Sequence, residues 1–190
     1  MHHLRTSSRL PRSGNAALAA GALIQAALGT EFVFAGLSKA VNHDYAAQFK
    51  GFVQGSPGAT SGLLAPLIQL LVVPNIDVAA QLAKYIELVA GTILLLAAVE
   101  VLRRRFSAPL GAPHGYEPLV ALLSACAALA LGALSLGIYM VQGGRLPTIN
   151  PAFAFSSPIA IELLVVPFLV GIAWLELGRF RALRELNARA

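Results

Sequence analysis

The chain has 190 residues, of which 57% are hydrophobic and only 12% are charged. Soluble globular domains carry about 25% charged residues, so this composition excludes an ordinary soluble fold and predicts a single membrane domain. Fourteen basic residues against nine acidic ones give a formal net charge of +5. The arginines lie at the ends of apolar segments and in the tails, not along one soluble face, which argues against a nucleic-acid partner.

Four long apolar runs follow one another along the chain, at residues 16–40, 77–102, 119–142 and 158–177. Each has about the 20 residues that an α-helix needs to cross the hydrocarbon core. Lipid cannot hydrogen-bond an open backbone, so runs of this length must be helical. The sequence therefore predicts an all-α, polytopic membrane protein: a four-transmembrane-helix bundle with tails at 1–15 and 178–190.

The segment between the first two runs, residues 41–76, is long and only partly apolar. Its piece 63–73 is almost wholly apolar but about half as long as a span requires. Before it, four side chains at i, i+4, i+7 and i+8 form one apolar stripe: Tyr45, Phe49, Phe52 and Val53. Such a stripe favours a helix that lies on the membrane or caps a bundle. We therefore expect an interfacial or re-entrant helical segment between the first two membrane helices.

The distribution of basic residues predicts the orientation. Ten of them lie in the two tails and the middle connector, and the opposite loops hold only Lys39, Lys50 and Arg145. Because basic loops stay in the cytoplasm, we expect both termini to be cytoplasmic and residues 41–76 to lie outside. The first run is too long for the core of a cleaved signal peptide and contains charged residues, so it is expected to remain as a helix.

The residues that could hold a redox centre are few. A bis-histidine haem needs two imidazoles at membrane depth, whereas the four histidines fall in the N-terminal tail and in loops on opposite sides: His2, His3, His43 and His114. Cys126 is the only cysteine, which excludes an intrachain disulfide or a cysteine-held cluster. Its position in the middle of a helix predicts a small core residue. We expect neither a metal nor a covalently bound cofactor.

Five ionisable residues lie inside or at the edges of the runs, all in the outer half of the predicted bundle: Glu31, Lys39, Lys84, Glu87 and Glu162. Charges at membrane depth are costly and are candidates for functional residues. One interpretation is a structural network of opposite charges, in which Lys84 and Glu87 can pair at i, i+3. Another is a polar pocket open to a quinone headgroup or a proton path. A third is contact with partner subunits.

Two stretches resemble the helix signatures of the DoxX family. In residues 28–39, Gly29 is followed by Gly36 seven residues on and Lys39 three later, and in residues 85–96, Glu87 is followed by Gly91 and leucines. The outer segment with Val73-Pro74-Asn75 is similar to the branch associated with small subunits of thiosulfate:quinone oxidoreductase. The resemblance covers roughly residues 22–98, and the second half only by topology. Two departures are Gln25, where family members often carry an Arg, and the additional Glu31.

The resemblance implies a four-helix protein of a bacterial or archaeal cytoplasmic (inner) membrane, linked to sulfur or quinone redox systems. The function expected from it is that of a membrane subunit of a quinone-linked oxidoreductase, which anchors a redox partner and is not catalytic alone. The alternative is a non-catalytic accessory subunit of a larger respiratory or photosynthetic membrane complex. An independent transporter is less favoured because four helices without an evident repeat form a small permeation path.

A quinone would need hydrogen-bond donors for its two carbonyls. Lys39, at the end of the first helix, is the expected donor to one, and Tyr85 or a buried, protonated acid such as Glu31 is the expected donor to the other. Glu87 and Lys84 complete this candidate cluster. The family's first-helix lysine corresponds to Lys39 and its second-helix glutamate to Glu87.

Overall fold

The structure is a computed structural model, and it describes residues 12–62, 64–106, 116–144 and 159–188. Several predicted features lie outside these ranges: the N-terminal residues 1–11, Leu63, the connector residues 107–115, Arg145 and Pro158. Within the described ranges all regular structure is helical, which confirms the predicted all-α class.

Seven α-helices occur in the described ranges: α1 (Arg12–Val41), α2 (Tyr45–Gly55), α3 (Pro57–Thr60), α4 (Ala65–Leu67), α5 (Ile76–Phe106), α6 (Glu117–Val141) and α7 (Ile161–Ala188). A π-helical turn (Ile68–Val72) and a 3-10 turn (Val73–Asn75) join α4 to α5. Four of these helices, α1, α5, α6 and α7, are long and apolar enough to cross a membrane. The chain is a multi-pass membrane protein, and the predicted four-helix bundle is confirmed.

The four long helices form a ring of neighbours. Helix α1 packs along α5, α5 against α6, and α6 along α7, while α7 returns to α1 through a slighter contact. Helices α1 and α5 are antiparallel, because Gly36 lies beside Leu88 and Gly29 beside Leu95. The bundle therefore consists of two tightly packed pairs, and the α1–α7 seam is its loosest joint.

Facing glycines allow α1 and α5 to approach closely. A Cβ placed on Gly91 would lie 2.9 Å from the Val33 nitrogen, and one on Gly29 would lie 2.8 Å from the Leu95 nitrogen. Both distances are shorter than a normal van der Waals contact, and the neighbouring atoms are backbone, which cannot rotate away. Small residues at the interface are a general means of packing membrane helices.

An apolar core fills the centre of the bundle. It contains Leu94, Leu131 and Leu169, which are fully buried, and Phe32 contributes from α1. Large apolar side chains also point outward, as expected where lipid tails are the solvent; Trp174 is 79% exposed. Cys126 lies on the exposed surface of α6, so the prediction that it is a core residue is wrong.

Helices α2 to α4 cover one end of the bundle, which we call the capped end. The side-chain oxygen of Asn42 accepts a hydrogen bond from the Asp44 N–H at 3.0 Å, and this turn leads α1 directly into α2. Helix α2 packs against α5, with Val53 only 1% exposed. The segment expected to be interfacial is thus helical, and from Ala65 onward it continues into α5.

The opposite end of the bundle, which we call the basic end, carries two ion pairs among the described residues, each formed within a single helix. Arg103 lies 2.9 Å from Glu100 on α5, and Arg179 lies 3.2 Å from Glu176 on α7. Both pairs have the i, i+3 spacing that places side chains on one helix face. The Tyr116 hydroxyl also donates to Glu100 at 3.3 Å, which joins the end of α5 to the start of α6.

Candidate functional site

A cavity of about 420 Å³ lies at the capped end, where α1, α2, α5, α6 and α7 converge. We call it the capped-end cavity. Its walls are mainly apolar and include Phe32, Phe49, Phe52, Ile138, Ile161 and Val165. Its size is within the range of roughly 300–1,000 Å³ that is typical of small-molecule sites. Apolar walls with a few convergent polar groups are the usual composition of such a site.

An ion pair between Lys39 and Glu87 forms the polar end of this cavity. Lys39 lies in the last turn of α1 and Glu87 in α5, so the pair joins the two helices. Glu87 is 4% exposed, whereas the Lys39 side chain is 26% exposed. A buried carboxylate is tolerated at this depth because the ammonium group neutralises it. The pair brings together two of the candidate site residues, Lys39 and Glu87.

Two further acids line the capped-end cavity, Glu31 and Glu162. The structure leaves Glu31 exposed, so the predicted burial of this acid is wrong. Glu31 forms no hydrogen bond or ion pair with any residue in the described ranges. Glu162, at the start of α7, accepts a hydrogen bond from the Gln142 amide at 2.9 Å. The cavity therefore contains one neutralised charge pair, one acid held by an amide and one acid without a partner among the described residues.

Lys84 and Tyr85 do not line this cavity. The Lys84 ammonium lies 5.0 Å from the centroid of the Tyr85 ring, and Tyr85 is 55% exposed. The i, i+3 neighbour of Lys84, Glu87, pairs instead with Lys39. Of the five candidate site residues, the structure thus brings Glu31, Lys39 and Glu87 together around one cavity and places the other two elsewhere.

Tyr45, which the sequence analysis treated only as part of an apolar stripe, contributes a polar group to the cavity. Its ring packs against Phe49 with centroids 5.9 Å apart. Its hydroxyl is buried, and among the described residues it is the one buried side-chain polar atom without a hydrogen-bond partner. Burial, and secondarily the Glu87 carboxylate, raises the pKa of Tyr45 to about 12. The phenol is therefore protonated near neutral pH and available as a donor.

A second cavity, of about 590 Å³, adjoins the first at the capped end. It lies between α2, α3 and the ends of α6 and α7, and Phe52 lines both cavities. The Gln142–Glu162 hydrogen bond also connects them, because Gln142 lines the second cavity and Glu162 the first. Phe52 and this hydrogen bond therefore lie where the two cavities adjoin.

A separate buried polar cluster lies on the far side of the apolar core, nearer the basic end. The Gln25 amide donates to the Ser124 hydroxyl at 2.6 Å, and Gln25 and Glu176 line the same small space between helices. Gln25 is 2% exposed and Glu176 is 4% exposed. This cluster joins α1, α6 and α7, and Arg179 neutralises Glu176 from the same helix.

Fold and site together define a class: a multi-pass membrane protein whose four-helix bundle encloses a largely apolar cavity ending in a buried ion pair. No family model, no curated protein and no solved structure matches the chain. Within the described ranges, no group of three or more His, Cys, Asp or Glu side chains is placed to hold a metal ion. The chemistry of the cavity is therefore the main guide to function.

Proposed function

We propose that this chain is a membrane subunit of a quinone-linked oxidoreductase and that the capped-end cavity holds the quinone headgroup. The observation that carries this proposal is the composition of the cavity, an apolar slot that ends in the Lys39–Glu87 pair. A structural network of charges would need the ion pair but not a space of about 420 Å³ beside it. The resemblance to the DoxX family, whose signature residues form this pair, supports the same proposal.

The residues present fit such a ligand. A quinone headgroup is a flat ring with two carbonyl acceptors, and Phe32, Phe49 and Phe52 offer faces and edges for packing it. The Lys39 ammonium has three N–H donors, of which the contact with Glu87 uses one. A quinone bound there would accept two electrons and two protons, with the electrons supplied by a partner subunit that carries the redox centre.

The cavity opens where an isoprenoid tail could leave. Among the lining residues, Glu31 on α1 and Ile161 on α7 are both exposed, and these two helices share the slightest contact of the ring. An apolar tail passing through this seam would enter lipid directly, while the headgroup stayed near the ion pair. The exposed Glu31 also favours the second candidate function, that of an accessory subunit. A carboxylate exposed to lipid is costly, and contact with a partner subunit would remove that cost.

Filling the cavity should separate these two functions. Ala35 lines the cavity and is half-buried, so Ala35→Trp is expected to occupy the headgroup space without changing any charge. The amount of quinone that co-purifies in mild detergent should fall to about a tenth of the wild-type amount or less. This fall corresponds to a loss of at least about 1.4 kcal/mol in the free energy of quinone binding. Ala27→Trp, on the exposed surface of α1, is the matched control and should retain quinone. Full quinone retention by Ala35→Trp, in an intact complex, would favour the accessory subunit.

We also propose that the protein lies in a bacterial or archaeal cytoplasmic membrane with both termini in the cytoplasm. The basic end, with Arg103 and Arg179, would then face the cytoplasm and the capped end would face outward.

Cysteine labelling tests this orientation. In a Cys126→Ala background, Gln54→Cys on the exposed surface of α2 should react with a membrane-impermeant maleimide in intact cells. Asn187→Cys, exposed near the end of α7, should react only after the membrane is permeabilised. The reverse pattern would invert the orientation, and labelling of both sites in intact cells would exclude an odd number of crossings between them, such as the three made by α5, α6 and α7.

A further inference from the structure

We propose that Tyr45 is the specificity-determining residue of the capped-end cavity, donating its hydroxyl hydrogen bond to an acceptor oxygen of the bound ligand. This inference rests on the proposed function, for which that oxygen is a quinone carbonyl. It differs from the expectation drawn from the sequence, in which Lys39 and Tyr85 supplied the donors.

The first support is the unused hydroxyl itself. A buried donor without a partner costs free energy, and in folded proteins such groups are rare. Tyr45 lines the cavity, and its buried hydroxyl has no partner among the described residues, although Glu87 is close enough to influence it electrostatically. A ligand acceptor in the cavity would satisfy the hydroxyl, which explains why a tyrosine occupies this place when phenylalanine would pack equally well.

The second support is the state of the other polar groups. Lys39 is engaged by Glu87, so a ligand that took the ammonium group away would leave a buried carboxylate unpaired. Glu162 is held by Gln142, and Tyr85 is on the exposed surface of α5. Tyr45 can bind an acceptor without breaking an interaction with another described residue, and its hydroxyl is the one buried side-chain polar atom of the cavity lining that lacks a partner among the described residues.

The third support is how firmly Tyr45 is held. It is the first residue of α2, and its N–H bonds the Asn42 carbonyl at 3.2 Å in the turn that follows α1. Phe49 packs against one side of the ring, and Phe49 in turn contacts Phe52 with centroids 6.5 Å apart. Backbone and aromatic contacts thus fix the position of the phenol ring, while its hydroxyl has no partner among the described residues.

The experiment compares Tyr45→Phe with Tyr85→Phe in the full-length purified chain, using decyl-ubiquinone as the probe. Tyr45→Phe is expected to weaken binding by about tenfold, the effect of one lost hydrogen bond. The infrared carbonyl band of the bound probe should move toward that of the free quinone. Tyr85→Phe should change neither the affinity nor the band, because its hydroxyl is outside the cavity.

Thermal unfolding without ligand distinguishes recognition from a structural role. Removing an unsatisfied hydroxyl should leave the Tm of Tyr45→Phe equal to or above the wild-type value. A lower Tm would mean that the hydroxyl has an acceptor within the protein, and that result would overturn the inference. Unchanged affinity and an unchanged carbonyl band would also overturn it while leaving the quinone site standing. Failure of the wild type to bind decyl-ubiquinone would instead overturn the proposed function, and this inference with it.

Discussion

Glu87→Leu is expected to destabilise the protein by about 3 kcal/mol or more, because it leaves the Lys39 ammonium without its partner at membrane depth. Glu87→Gln should be milder, since the amide oxygen still accepts a hydrogen bond from Lys39. The free energy of unfolding can be measured by titrating the purified protein with SDS in mixed micelles.

Two control variants sharpen this prediction. Lys84→Met removes a positive charge one turn away on the same helix, but it breaks no ion pair and should change the stability little. The double variant Lys39→Met/Glu87→Leu should recover most of the stability lost in Glu87→Leu, because replacing both partners of a buried pair by apolar residues is often close to neutral. Equal stability of Glu87→Leu and Glu87→Gln would contradict the buried-pair interpretation.

Gly91→Val is expected to destabilise the protein by about 3 kcal/mol, at the upper end of the usual cost of overpacking. The added side chain would meet the Val33 nitrogen and the Phe32 Cβ, which lie 2.9 Å and 3.0 Å from a Cβ at this position. Helix α1 can relieve that overlap only by moving away from α5, which would also stretch the Lys39–Glu87 pair.

Gly137→Val is the matched control for this change. Gly137 lies in α6, and a Cβ there would meet no atom within 4 Å. Its substitution should leave the Tm nearly unchanged, whereas Gly91→Val should lower it clearly. A similar fall in both variants would show that valine is disfavoured in these helices for reasons other than close packing.

The helical class and the number of crossings followed from apolar runs alone, because lipid leaves the backbone few alternatives. Which charged residues face the inside of the bundle depends on a finer pattern, the spacing of small and apolar residues along each helix. Buried positions of α1 recur at alternating spacings of three and four residues: Ala22, Gln25, Gly29, Phe32 and Gly36. The next position in that series is Lys39, whereas Glu31 falls outside it and is exposed.

Helix α5 has the same alternating spacing of three and four residues, and this spacing distinguishes its buried candidate site residue from its more exposed ones. Among its buried positions, six recur at the same spacings: Ala80, Ala83, Glu87, Ala90, Leu94 and Ala97. Glu87 belongs to this series, and Lys84 and Tyr85 do not. Spacings of three and four residues are typical of left-handed helix packing in membranes. The period alone therefore places Lys39 and Glu87 on the inward faces of their helices, whereas their pairing also depends on the register of α1 against α5.

Two other features could not be predicted in this way. The role of Gln25 depends on Ser124, which is 99 residues away in the sequence, so no local pattern reveals the hydrogen bond. The position of Tyr45 depends on how α2 folds back over the bundle, which is set by the Asn42 turn and by packing against α5. The apolar stripe correctly indicated a capping helix but carried no information about the direction of a single hydroxyl.

The arrangement of the charged pairs has a consequence for biosynthesis. Lys39, Glu87, Glu100 and Arg103 all lie in α1 and α5, so both of these ion pairs can form before α6 and α7 have been translated. Of these four residues Glu87 lies deepest in its helix, and early pairing with Lys39 lowers the cost of placing its charge in the membrane. The walls contributed by Ser135 and Glu162 come later. During insertion, the chain can form these two ion pairs first and close the capped-end cavity last.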